Sequence, residues 1–128
     1  MRLLLDTHLL IWAFASSDRL SRKARILMDD PENELWFSVI SLWEIAVKRT
    51  LGRAGFDVDP RLMRRVLLEH GYLELALSGD HALGVEALPP LHKDPFDRIL
   101  IAQANSEGMT LLTSDKLVSQ YPGPILLV

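Results

Sequence analysis

Short apolar runs alternate with longer stretches of helical periodicity along the whole of this chain, and that alternation restricts the fold more than any single residue does. Arg2 to Leu5, Leu35 to Val39, Tyr72 to Leu77, Met109 to Thr113 and Ile125 to Val128 read as strands. After the first, Leu9, Leu10, Trp12 and Ala13 take up helical spacing, and Leu20, Ala24, Leu27 and Met28 share one face of a second helix. Further helices are predicted from Ser41 to about Leu51, from Pro60 to His70 and from Ser78 to Leu88. The last is predicted from Asp94-Pro95 to Glu107, with Pro at its first position and Gly108 closing it. Strands alternating with helices specify an α/β sandwich around a mainly parallel sheet of four or five strands. At 128 residues the chain has enough length for one such core, so residues 1–128 are read as a single domain.

Composition removes several kinds of chemistry. The chain has no Cys, so thiolate zinc sites, iron–sulfur clusters, disulfide scaffolds and thiol nucleophiles are excluded. No apolar stretch approaches the roughly 20 residues needed to cross a bilayer. The expectation is a cytoplasmic protein, neither spanning a membrane nor secreted. The net charge of −3 is unevenly spread: residues 19–65 carry ten of the 14 Lys and Arg against seven acids. A basic face and an acidic focus can therefore share one small domain.

Four carboxylates stand where such a fold places ligands, beyond the carboxyl ends of strands. Asp6 ends the first strand, Glu44 lies in the first turn of the predicted Ser41 helix, Asp97 opens the Asp94-Pro95 helix, and Asp115 follows Thr113-Ser114. Each has a capping explanation taken singly: Asp6 and Asp94 as N-caps, Ser41 with Glu44 as a capping box, Asp115 as a turn residue. Converging at one sheet edge, however, four carboxylates repel strongly and call for a positive partner. A hard divalent cation meets that need with oxygen ligands, so Mg²⁺ or Mn²⁺ is the expected occupant; His8, His70, His81 and His92 lack zinc spacing. Such an ion serves phosphodiester hydrolysis, and the basic residues of 19–65 would hold flanking phosphates. Thr7, Ser38, Thr113 and Ser114 are candidate partners around the acids.

The segments Leu3-Leu4-Leu5-Asp6-Thr7-His8, Ser41-Leu42-Trp43-Glu44-Ile45, Asp94 to Ala104 and Leu111-Leu112-Thr113-Ser114-Asp115 together resemble the PIN-domain family, and within it the toxin ribonucleases of the VapBC type. The resemblance runs from Met1 to the final strand. It implies a three-layer α/β/α fold, Mg²⁺- or Mn²⁺-dependent endoribonuclease activity on RNA, a homodimer, and a cognate antitoxin. Position by position it assigns Asp6, Glu44 and Asp97 to the family's acidic triad and Asp115 to its frequent fourth acid. Asp6 and Asp97 are then the first choices for direct ligands, Glu44 a water-mediated ligand or base, and Asp115 an outer or second-metal residue. Asp94, one turn from Asp97, is ambiguous between site and cap, and His92 and Arg98 are candidate substrate contacts. The antitoxin is expected on an apolar surface at Leu10, Trp12 and Phe14 and around Trp36 or Trp43. The alternative reading is a PIN-fold nucleic-acid-binding or interaction protein whose carboxylates only cap helices.

Overall fold

The computed structural model describes residues 1–128 and contains one five-stranded sheet. Strands β1 (Arg2–Leu5), β2 (Glu34–Ser38), β3 (Leu73–Leu75), β4 (Thr110–Thr113) and β5 (Ile125–Leu127) lie in the order β3-β2-β1-β4-β5. Every neighbouring pair is parallel. The sheet is thus wholly rather than mainly parallel. Helices α1 (Thr7–Phe14), α2 (Arg22–Asp29), α3 (Val39–Thr50), α4 (Pro60–Glu69), α5 (Gly79–Gly84) and α6 (Pro95–Glu107) connect the strands. None is long and apolar enough to cross a membrane.

Alternation along the strands builds two cores, because successive side chains leave a strand on opposite faces. Leu4 and Leu111 point to the side packed by Leu100, Ile101 and Ala104 of α6. Leu3, Leu5, Phe37 and Leu112 point to the other, against Leu9 and Leu10 of α1 and Met63 and Leu67 of α4. After its exposed first residue, Arg2, β1 is buried on both faces, which is why it continues as an unbroken leucine run from Leu3 to Leu5 up to Asp6.

Two helices differ from expectation in ways that bear on function. The third begins at Val39 rather than Ser41: Ser38 is its N-cap, accepting from the Ile40 amide at 3.0 Å. Ser41 and Glu44 consequently lie inside the helix, so the expected capping box does not form. The predicted Ser78–Leu88 helix is α-helical only over Gly79–Gly84 and tightens to a 3₁₀ turn at Val85–Ala87. The final helix matches expectation, with Asp94 as N-cap, Pro95 first, and Gly108 in the left-handed conformation (φ 66°) that its lack of Cβ permits.

The chain runs outward from β1 through β2 to β3 and then crosses back to place β4 on the other side of β1. The strand order therefore reverses between β1 and β4, and the crevice at their carboxyl ends is the place where this architecture builds sites. Leu5 pairs with Leu112, and the Asp6 amide donates to the Leu112 carbonyl at 3.0 Å, which brings Asp6 beside Thr113.

Candidate functional site

Asp6 is 6% exposed and fully engaged by the protein. One carboxylate oxygen caps α1 by accepting from the Leu9 amide at 2.9 Å, and the other accepts from Thr113 Oγ1 at 2.6 Å. Burial raises its pKa above the usual carboxylate range; the hydrogen bonds from Thr113 and Leu9, with His8 and the Ser114 amide, oppose that rise without cancelling it. Asp6 thus caps a helix, as the bland reading held, yet does so at the floor of the crevice.

Glu44 is still more enclosed, at 3% exposure. Its helix carries it under α1, where Thr7 Oγ1 donates to Oε1 at 2.6 Å and Lys48 Nζ, one turn further on, donates to Oε2 at 2.5 Å. Thr7 Oγ1 also lies 2.9 Å from Ser41 Oγ. Lys48 reaches Asp94 as well, at 3.6 Å, and rests over the rings of Phe56 and Phe96 at 4.9 and 5.3 Å. Burial alone would lower its pKa, but the hydrogen bond and charge of Glu44, with Asp94 and Asp97, raise it, so the ammonium stays charged. Sequence reading called for a cation among the acids, and this chain supplies part of it. The Glu44-to-Lys48 spacing of four, which puts two side chains on one helical face, was the signal available for it.

Asp97 projects from the first turn of α6 into the same region. Burial first, and then the charges of Asp94, Glu44, Asp6 and Asp115, push its pKa up to about 8. Shared partners join the acids of four distant segments: Lys48 lies between Glu44 and Asp94, His92 between Asp97 and Asp115, and Thr113 Oγ1 donates to Asp6 while accepting from the Asp115 amide. Asp115 is the most exposed of the set. It tightens the chain after β4 by accepting from the Leu117 amide at 2.8 Å, and its other oxygen lies 3.7 Å from His92 Nε2. His92 Nε2 is 3.0 Å from Asp97 Oδ2, so His92, Asp97 and Asp115 hold their ligand-type atoms within 4.8 Å of one another. The backbone N–H of Asp94 points at His92 Nδ1 from 3.3 Å, which places the imidazole proton on Nε2, facing the two carboxylates.

Of the sequence candidates, Asp6, Glu44, Asp97 and Asp115 meet at the site, with Thr7 and Thr113 as direct partners. Asp94 does both things proposed for it: it caps α6 through the Phe96 and Asp97 amides at 2.8 and 3.3 Å, and it contributes charge to the cluster. Ser38 lies apart, buried and donating to Gln103 at 2.6 Å. Arg98 is not positioned for substrate either. Its guanidinium donates to the Pro89 and Val85 carbonyls and to Tyr121 Oη, at 3.0 to 3.1 Å, and Tyr121 Oη in turn accepts from the His92 amide at 2.7 Å. Arg98 and Tyr121 therefore hold the His92 segment from behind, an arrangement no local spacing could announce. The apolar surface expected on α1 is also corrected: Leu10 is fully buried and Trp12 and Phe14 are half-buried against the core, because α1 packs flat on the sheet.

The donor set fits a hard cation. It offers carboxylate oxygens without thiolate, and its crowding leaves Asp97 short of positive charge even with Lys48 nearby. Caps account for Asp6, Asp94 and Asp115 in part, but for neither Glu44 nor the side chain of Asp97.

A sequence profile of the PIN domain matches residues 3–124. No curated protein matches the sequence. Among solved structures, VapBC2 from Rickettsia felis, bound to a DNA fragment from its promoter, superposes with TM-score 0.69 at 18% identity, covering 100% of this chain and 98% of that one. The DNA-bound VapBC of Salmonella typhimurium gives 0.66 at 17% identity, covering 98% and 97%. VapC20 of Mycobacterium tuberculosis, a sarcin-ricin-loop-cleaving toxin, gives 0.61 at 15% identity, covering 91% and 92%.

Proposed function

The chain belongs to the PIN-domain family, and from that premise we propose that it is a divalent-metal-dependent endoribonuclease, the toxin of a toxin–antitoxin pair. The observation that carries the reading is the convergence of four acids from separate segments at the ends of β1 and β4, where burial first, and then the charges of Asp94, Glu44, Asp6 and Asp115, push the pKa of Asp97 up to about 8. Helix capping alone gives no reason to concentrate that much negative charge in one crevice.

Asp6, Glu44, Asp97 and Asp115 are the residues that would hold Mg²⁺ or Mn²⁺. When bound, such an ion polarises a phosphodiester and lowers the pKa of a coordinated water, supplying a nucleophile at neutral pH. The protein's own part is positional. Thr113 and the Leu9 amide fix both oxygens of Asp6. Thr7 and Lys48 fix both oxygens of Glu44, and His92 steers Asp97 and Asp115 together. Arg49, Arg53 and Arg61, exposed on the α3–α4 side, would take the phosphates that flank the scissile bond. The VapBC assemblies among the structural relatives support an antitoxin as partner; a homodimer acting in the cytoplasm is carried into the reading from the family resemblance alone.

Incubation of the purified chain with total cellular RNA tests the reading. Discrete cleavage is expected with Mg²⁺ or Mn²⁺ and none with EDTA. Cleavage that persists in EDTA, or in the Asp97→Asn chain, would overturn it. Co-expression with the product of the adjacent small reading frame should give a stable complex in which cleavage is suppressed.

A further inference from the structure

Trp43 is 55% exposed, the only aromatic residue among the large apolar side chains left in solvent. Its placement distinguishes it from a stray surface hydrophobe. Its indole meets the Phe96 ring at 5.0 Å between centroids and 70° between planes. An edge-to-face contact of that kind occupies at most one face of the indole, so another stays open while the ring is held in place. The two aromatics immediately precede Glu44 and Asp97, and Phe96 also supports Lys48 at 5.3 Å. The exposed indole is therefore part of the rim of the acidic crevice.

Beside it, Trp43 borders a groove of about 300 Å³ with Leu42, Ala46, Pro60, Arg61 and Arg64. Arg64 is held by Glu74 at 2.6 Å, whereas the Arg61 guanidinium has no side-chain partner. An open π face next to a free guanidinium matches the two halves of a nucleotide, the base on the ring and the phosphate on the cation. A chain of net charge −3 with its acids at the reaction centre also cannot rely on bulk charge to hold a polyanion. Stacking provides affinity that does not depend on charge.

Resting on the ribonuclease reading above, we infer that Trp43 is a base-stacking platform for single-stranded RNA, seating a nucleotide beside the scissile phosphate with Arg61 on its backbone. The test is equilibrium binding of oligoadenylate and oligouridylate RNA to the Asp6→Asn chain, which keeps a good helix cap but does not cut. Adding Trp43→Ala should weaken oligoadenylate binding about tenfold, and Trp43→Leu should do the same because it lacks a π face. Trp43→Phe should stay close to the parent. The preference for oligoadenylate over oligouridylate should shrink in the Ala and Leu variants while the slope of affinity against salt stays unchanged; Arg61→Ala should instead lower that slope by roughly one phosphate contact. Equal RNA affinity in Trp43→Ala and parent overturns the inference and leaves the nuclease reading intact. Unchanged RNA affinity with an altered solution mass, or with lost antitoxin binding, reassigns the indole to a protein interface and overturns it equally. An Asp6→Asn chain that binds neither RNA, from a parent that cuts none, removes both readings together.

Discussion

The inner acids, Asp6 and Glu44, are met by protein donors on every oxygen, whereas the outer ones, Asp97 and Asp115, have little but His92 between them and further negative charge. The inner pair is built in three dimensions by a strand end, two threonine hydroxyls and a lysine. The outer pair sits at the mouth, where the first turn of α6 faces the loop after β4. This difference separates two tasks. Fixed donors hold the inner carboxylates in one geometry, whereas no fixed cation favours the ionised form of Asp97, which burial and its acidic neighbours keep protonated up to about 8. A site built only for stability would have given Asp97 a cationic partner or an apolar replacement, since ionising it where it stands is costly.

The largest effects should come from the ligand acids themselves. Asp97→Asn or Asp6→Asn should lower the single-turnover rate of RNA cleavage by more than about 100-fold, above what loss of a supporting partner gives, while circular dichroism stays native. If Asp97→Asn cuts at near the parental rate, the outer acids are not functional and the contrast collapses.

Breaking the inner arrangement should instead register as stability. Lys48→Met strands the buried Glu44 carboxylate and should cost about 3 kcal/mol in urea unfolding. Lys48→Met combined with Glu44→Gln should recover most of that loss, because the remaining amide can still accept from Thr7. Full additivity of the two changes would show that the pair is not coupled.

Thr113→Val removes the donor to Asp6 and should cost about 1–2 kcal/mol, with divalent-metal affinity by calorimetry falling roughly tenfold. An effect on metal affinity without one on stability would move Asp6 into the outer class.

The most gradual signal is a slope with pH. In the metal-free chain Asp97 is protonated up to about 8, while in the unfolded chain it ionises near 3.8. Between those values the folded state binds the extra proton, so this group's contribution to stability is fully present below about 3.8 and is lost as pH rises toward 8. The thermal midpoint of the metal-free parent should therefore fall relative to Asp97→Asn across that window. Added Mg²⁺ should raise the parent's midpoint more at neutral pH than at pH 5, and should leave Asp97→Asn nearly unchanged. A metal-induced shift of equal size in both proteins would contradict the assignment.

Where elements are long and locally specified, sequence and structure agree closely. Asp94-Pro95 and Gly108 set the ends of α6 through a missing N–H and a missing Cβ, so its bounds were readable in one dimension. The start of α3 was not. Two serines three residues apart both suit an N-cap, and only the position of β2 against β1 and β3 selects Ser38, which turns Glu44 from a cap residue into a buried carboxylate. Arg98 shows the opposite error: adjacency to Asp97 suggested substrate, but its helical direction sends it to Val85, Pro89 and Tyr121.

Strand and helix periodicity, the absence of thiols and the acids at strand and helix ends belong to the sequence alone, because each depends on a residue and its near neighbours. Which acids share a site, which of them the protein neutralises with Lys48, and which it leaves crowded were decided by tertiary structure. Charges interact through a few ångströms of space, and the chain separates Asp6 from Asp115 by more than a hundred residues that only the β1–β4 pairing brings together.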